Sequence, residues 1–400
     1  MPTTKTQPTG WKETTLGEVA EVFTGRKDVN QTNPNGKYIF FSCSPELFHS
    51  DDYIRDDDAI IIVGNGSYTG TVRFFSGKFD LYQRTYACVL KEEAKQGFDI
   101  RFVFYYVKKY FEKDFMGGSR GSSIPYIVRG DIENFGIPMP SLLEQREIAG
   151  VLASLDNKIE LLRRQNETLE AIARTIFHEW FVEFNFPNEQ GKPYKASGGK
   201  MVESELGDIP EGWRVGSFSN EADFLNGLAL QKHPPKNKGD ELPVIKIREL
   251  KAGVTKETDK ASKEIPAEYI VQDGDLLFSW SGSLEVVIWQ HGAGALNQHL
   301  FKVSSDKYPR WFLYLWLLNH LPLFRSIAEN KATTMGHIQR FHLEQAKVLI
   351  PADDTFKKMD LVFSRLLEKL MNNTTMTKYL VVVRDTLLPK LMSVEVGVIN

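Results

Sequence analysis

IPMPSLLEQREIAGVLASLDNKIELLRRQNETLEAIARTIFHEWF, residues 137–181, decides how the rest of the chain is read. Within it Ile148, Leu152, Leu155, Ile159, Leu162, Asn166, Leu169, Ala173, Ile176 and Trp180 follow one another at spacings that alternate four and three without a break. That is the heptad seam of a long helix. A helix of roughly 40 residues is about 60 Å long, and it cannot hide its own apolar stripe. Something of equal length has to cover it, and the sequence supplies it. Adding 211 to each position gives Met359, Phe363, Leu366, Leu370, Asn373, Thr377, Leu380, Arg384, Leu387 and Leu391, a second seam in the same phase. The two helices are expected to pack on each other as an antiparallel coiled coil. Polar residues inside the seams (Asn166 on one, Asn373 and Thr377 on the other) fix register at some expense in stability. Pro389 is expected to break or kink the last turn of the second helix.

Working outward, what precedes each helix is also written twice. Trp11 and Gly25 stand fourteen apart, as do Trp213 and Gly227, an offset of 202. Residues 56–67 (DDDAIIIVGNGS) lie over 272–283 (QDGDLLFSWSGS), each a polar turn, a buried strand and a Gly/Ser turn. Gln83-Arg84-Thr85-Tyr86 answers Gln298-His299-Leu300-Phe301, and residues 122–140 lie over 333–351 at an offset of 211. The offset drifts as surface insertions would make it drift. Residues 187–212, PNEQGKPYKASGGKMVESELGDIPEG, carry Gly, Pro, Ser and charge without periodicity and read as a linker or surface loop. The expected organisation is a mixed α+β chain with pseudo-two-fold symmetry. Its parts are a globular unit (1–140), a long helix (141–186), a linker (187–210), a second globular unit (211–351) and a second long helix (352–393). With the helices antiparallel, the units would sit at opposite ends of a rod.

The 400 residues are 42% hydrophobic and 25% charged, a globular balance that excludes a wholly disordered or membrane-embedded chain. The opening MPTTKTQPTG lacks the apolar core of a secretory signal. Cys43 and Cys88 alone build neither a disulfide framework nor a thiolate zinc site. A reduced, cytoplasmic protein is expected. Net charge is −3, from 49 Lys and Arg against 52 Asp and Glu, which leaves no overall basic excess for nucleic acid. Binding, however, needs only a local basic groove. The first helix is acidic on balance, and a helix that packs against protein partners need not be basic.

No catalytic or metal constellation is expected. Gly64-Asn65-Gly66 follows a strand but leads into another strand, TVRFF, so it lacks the helix that would hold a pyrophosphate. There is no Walker-type Gly-Lys-Ser/Thr. His178-Glu179 opens like a zincin, but Val182 stands where the second histidine belongs. Asp80, Glu93 and Lys95 mimic a metal-dependent nuclease without a counterpart in the second copy, and Pro234-Pro235 lacks the flanking residues that clamp a flipped adenine.

The heptad run resembles the central region of the specificity subunit of type I restriction-modification enzymes. The resemblance rests on Pro138-Met139-Pro140, on Leu143-Glu144-Gln145-Arg146-Glu147-Ile148, on Leu155-Asp156-Asn157-Lys158-Ile159 and on the closing Phe177, Trp180 and Phe181. Gly207-Asp208-Ile209-Pro210-Glu211-Gly212-Trp213 fits the start of that family's second unit, and the resemblance runs over essentially the whole chain. The second helix departs from it, with Thr355-Phe356 in place of Glu144-Gln145. The resemblance implies a non-catalytic DNA-reading subunit of a phage-defence restriction system. Each globular unit would be a target recognition domain for one half of a split double-stranded DNA sequence. The helix pair would set the unread spacer and dock two methylation subunits, which methylate adenine with S-adenosylmethionine. Two restriction and translocation subunits, using ATP and Mg, would complete the complex, and this chain would hold no cofactor. Two other readings compete: a dumbbell-shaped adaptor that binds only proteins, and a nuclease at Asp80, Glu93 and Lys95.

Loop tips are the candidates for DNA contact, because base edges and phosphates are reached from the ends of a rigid scaffold. Residues 117–125 offer Ser119, Arg120, Ser122 and Ser123, and the matched residues 330–337 offer Lys331, Thr333, Thr334 and His337. The second matched pair offers Asn65, Ser67 and Tyr68 against Trp280, Ser281 and Ser283. An Asn there can read adenine and an aromatic can stack or wedge. Arg26 and Lys27, and Lys232 after the second matched glycine, suit phosphates. Arg84 and His299 complete the set, although each could equally be a satisfied strand residue.

Overall fold

The structure is a computed structural model, and it describes residues 11–116, 125–237, 239–330 and 336–393. It divides into two compact units, Met1–Glu160 with Lys378–Asn400, and Leu161–Thr377. The division falls inside the long helices, not at their ends.

In the first unit, the run Ala59-Ile60-Ile61-Ile62-Val63 ends the central strand of a six-stranded sheet. Strand Arg55–Val63 pairs antiparallel with Val72–Leu81 on one side and Thr85–Leu90 on the other. Ala20–Thr24 extends the sheet at one edge, and Tyr38–Phe41 and Leu47–Ser50 extend it at the other. The run is apolar without alternation because both of its faces are covered. Ile60, Ile62, Val72 and Cys88 face a core built with Phe102, Val103 and Tyr106 of the helix Ile100–Tyr106. Ala59, Ile61, Phe79 and Ala87 face a smaller core with Phe41. Asp99 caps that helix by accepting from the N–H groups of Arg101 and Phe102, each at 3.0 Å.

The first long helix, Leu142–Phe181, starts in this unit. Buried Gln145 anchors it: the side-chain amide donates to the carbonyls of Pro140 (2.9 Å) and Gly97 (3.2 Å), and its oxygen accepts from Asp99 N–H (2.8 Å). Ile148, Leu152 and Ala153 then share a core with Leu388, Leu391 and Met392 of the second long helix, Asp353–Met392. Asp156 receives the Arg384 guanidinium at 2.7 Å and the Tyr105 hydroxyl at 2.7 Å. The helix continues past Pro389 to Met392, so the proline does not break it. Proline removes one intrahelical hydrogen bond, and here the buried Leu388, Leu391 and Met392 hold the turn around it.

The second unit carries one four-stranded sheet, Asp223–Asn226, Leu300–Ser304, Leu276–Ser279 and Val286–Ile288, and another built around Leu242–Ile245 and Gly294–Leu296. Helix Arg310–Asn330 lays Trp311, Phe312 and Trp316 into a core shared with Phe177 and Phe181 of the first long helix and Phe363 of the second. Phe356 stacks on Trp311 with centroids 5.6 Å apart, so aromatic packing holds the start of the second helix where hydrogen-bonded Gln145 holds the first. The helices run antiparallel here too, since Trp180 meets Phe363 and Asn166 meets Leu370 and Thr374. In both units every predicted seam position is buried or half-buried.

The stretch expected as a linker is folded instead. Phe186 stacks on Tyr194 (4.6 Å) and on Trp213 (5.2 Å), and Met201–Ser204 and Gly207–Pro210 form a hairpin. Three aromatics supply the burial that its polar composition concealed.

Candidate functional site

The duplicated segments meet in the same way twice. In the first unit Lys12–Thr15 pairs with Gly136–Met139, and Leu16 N–H donates to Phe135 O at 2.9 Å. In the second, Arg214–Ser217 pairs with Lys347–Ile350, and Phe218 N–H donates to Ala346 O at 2.8 Å. This joint fixes where the following loops go. Gly66 N–H donates to Pro125 O (3.1 Å), Ile127 N–H to Gly64 O (2.9 Å) and Gly64 N–H to Arg84 O (3.1 Å). Their counterparts are Gly282 N–H to Gly336 O (2.8 Å), Ile338 N–H to Trp280 O (2.9 Å) and Trp280 N–H to His299 O (3.3 Å). Asn65 bridges to Tyr126 as Ser281 bridges to His337. Each unit therefore ties three chain segments, chosen independently from the sequence, into one surface at one end of its sheet.

In the first unit Ser67, Tyr68 and Arg84 are exposed and Asn65 is half-buried. Arg26 is exposed beside Gly25, but Lys27 is turned into the fold. Its ammonium sits 2.7 Å from Asp80, which is buried, and donates to Ser50 Oγ at 2.8 Å. Burial works against the Lys27 charge, yet the Asp80 carboxylate outweighs it and raises the pKa. This pairing also occupies the Asp80 carboxylate, while Lys95 is held by Glu92 and Asp57. The nuclease-like triplet is not assembled. Burial raises the pKa of Tyr86, whose hydroxyl donates to Ile127 O at 3.3 Å.

The second unit builds its surface from rings. The Trp280 indole N–H donates to Asn226 Oδ1 at 2.8 Å, and its ring lies 5.7 Å from His299 and 6.5 Å from His337. The buried Ser281 hydroxyl lies 3.0 Å from His299 Nδ1, so it orients that ring. Ser283 and Lys232 are exposed. Ser119, Arg120, Ser122, Ser123, Lys331, Thr333 and Thr334 lie outside the described residues. The sequence reading missed Tyr126, Asn226 and Arg73. Asn226 had a signal, standing directly before the matched Gly227. Arg73 had none, because within a strand it looks like any alternating polar residue.

Among the described residues no group of three or more His, Cys, Asp or Glu is placed to hold a metal ion, and no helix is long and apolar enough to cross a membrane.

The chain matches the family described as "Type I restriction modification DNA specificity domain" twice, over residues 8–171 and 210–379. It is 29% identical over 237 residues to the type I restriction enzyme EcoDI specificity subunit of Escherichia coli, a match covering 55% of this chain and 51% of that protein. The match to the HindI specificity subunit of Haemophilus influenzae is 23% identical and covers 96% of this chain and 99% of that one. The chain thus spans about half of the first relative's length and nearly all of the second's. In fold it is similar to the crystal structure of a type I restriction-modification system S subunit from M. genitalium, with a TM-score of 0.60 over 97% of each chain at 17% identity.

Proposed function

We propose a function from one premise: the chain belongs to the type I restriction-modification DNA specificity family, whose domain it contains in two copies. It is the DNA-reading, non-catalytic subunit of such a system. Each unit presents its three joined segments to one half of a split DNA sequence, and the paired long helices set the unread spacer between the halves. Methylation subunits dock on this chain and methylate adenine with S-adenosylmethionine. Restriction subunits driven by ATP with Mg complete the assembly, and the cofactors belong to those partners.

The observation that carries this reading is the repeated joint. The same backbone bonds hold two chemically different loop sets, Asn65 to Tyr68 with Arg84 in one unit and Trp280 to Ser283 with His299 in the other. A constant frame with variable tips is what reading two different half-sequences demands.

The test is methylome sequencing of a host carrying this chain with its methylation partner, against a strain deleted for the chain. One split adenine motif with a fixed spacer is expected to disappear. Exchange of residues 1–140 for those of a relative is expected to change one half of the motif only. If every motif survives deletion while the methylation partner is expressed and active, the reading is wrong.

A further inference from the structure

Arg73 lies on the strand Val72–Leu81, one residue in from the turn that returns from Arg55–Val63, directly across from Ile61. Its neighbours Val72 and Phe74 join the core on the helix side of the sheet. Arg73 therefore points to the other face, as Phe75 does. There its guanidinium is half-buried, with one hydrogen bond, Nη2–H to the carbonyl oxygen of Ser44 at 3.1 Å. Among the described residues it has no carboxylate partner, and burial alone pulls its pKa down. Other cations of the same sheet are paired: Arg55 with Glu21 and Lys78 with Asp56.

A guanidinium has five N–H donors, so most of those on Arg73 are unused. Holding a positive charge partly out of water without a counter-charge is unfavourable. Such a group makes physical sense where an anion completes it. A second arginine at this end of the sheet, Arg84, also has no carboxylate partner among the described residues. Arg84 is exposed, and its carbonyl oxygen lies 3.5 Å from the Cys43 thiol. The dipeptide Cys43-Ser44 thus touches both residues, the Arg84 backbone through Cys43 and the Arg73 guanidinium through Ser44. Both arginines lie at the end of the sheet where the candidate loops join. The second unit does not repeat Arg73 at the matched position, where the strand register places Val287 across from Leu277 as Arg73 is from Ile61.

We propose that Arg73 and Arg84 form a phosphate clamp that grips the phosphodiester backbone of the DNA bound by the first unit. This rests on the DNA-reading function above and adds to it a division of labour. The clamp contributes affinity and placement, and the base edges are left to other side chains. Arginine suits the task because its planar fork can bond two phosphate oxygens at once. It also means that the two units hold the backbone by different means.

The experiment measures DNA binding by the complex of this chain with its methylation subunits, over a range of salt, for wild type, Arg73→Gln, Arg84→Gln and Arg73→Lys. Each glutamine variant is expected to bind roughly tenfold more weakly at low salt, and its slope of log affinity against log salt is expected to fall by about one. Arg73→Lys is expected to keep the slope, because the charge remains. The methylated motif is expected to stay the same in all of them. Arg84 is exposed, so its variant keeps the test open if Arg73→Gln does not fold. Wild-type binding matched by both glutamine variants overturns the clamp alone, and so does a changed motif, which would make these base contacts. A wild-type complex that does not bind DNA overturns the DNA-reading function and the clamp with it.

Discussion

At the scale of single residues, the matched glycines have a shared reason to exist. A Cβ on Gly25 would lie 1.7 Å from Leu81 O, and one on Gly227 would lie 2.2 Å from Asn297 O. Backbone passes against backbone at both places, so the duplication preserved a close approach. Gly25→Ala is expected to destabilise the first unit by about 2–3 kcal/mol through overpacking. Gly66→Ala, with open space but a φ of 88°, is expected to lose only about 1 kcal/mol from strain. Thermal unfolding of the two variants checks the order. His320 adds a pH dependence in the second unit. Its ring stacks on Trp316, its Nε2–H donates to Lys347 O at 2.9 Å, and burial lowers its pKa. The unfolded chain then takes up the proton first, so stability is full above the ordinary histidine value and falls as pH drops below it. His320→Gln is expected to be less stable at about pH 8 but flatter down to about pH 5.5, as denaturant titrations at each pH would show. At this scale the sequence was only partly legible. It marked Lys27 as cationic but could not say that a buried carboxylate 53 residues further along, Asp80, would claim it.

At the scale of elements, the long helices were readable because a heptad seam is a one-dimensional pattern that only one kind of structure satisfies. The folded segment before Trp213 was not, because its stability comes from three aromatics meeting in space. The seam also carries information that periodicity does not show. Asp156 and Arg384 pair at 2.7 Å, yet their counterparts 211 residues along or back are Leu367 and Ala173. The ion pair can form only between the first helix and the second, never between two copies of either. Arg384→Met leaves Asp156, among the described residues, with only the Tyr105 hydroxyl and is expected to destabilise by about 1–3 kcal/mol. Asn166→Leu is expected to change stability far less. The Asn166 amide donates to Thr374 Oγ1 at 2.9 Å and to Leu370 O at 3.2 Å, but its own oxygen is buried without a partner among the described residues. Thr374 keeps its own bond to Leu370 O at 2.9 Å when the amide is removed, so the change strands no partner. Equilibrium denaturation of the two variants separates these outcomes.

At the scale of the whole molecule, two units and their order were legible from the repeat, while their boundaries were not. Spacing along a helix says nothing about which core claims which turn. Residues 378–393 follow the second unit in sequence, yet Leu388, Leu391 and Met392 are buried in the core of the first, against Ile148 and Leu152. Truncation after Asp385 is therefore expected to loosen the first unit and spare the second. Hydrogen exchange would show it as lost protection in Thr85–Leu90 and retained protection in Leu300–Ser304. The same interleaving sets a timetable on the ribosome. The first unit must wait, its core open, until residues 388–392 have been made. The half translated in the middle has all its residues in one contiguous run and can close before then. A nascent chain stalled between the two points would expose an unfinished apolar surface at its beginning, which is where chaperones would be needed.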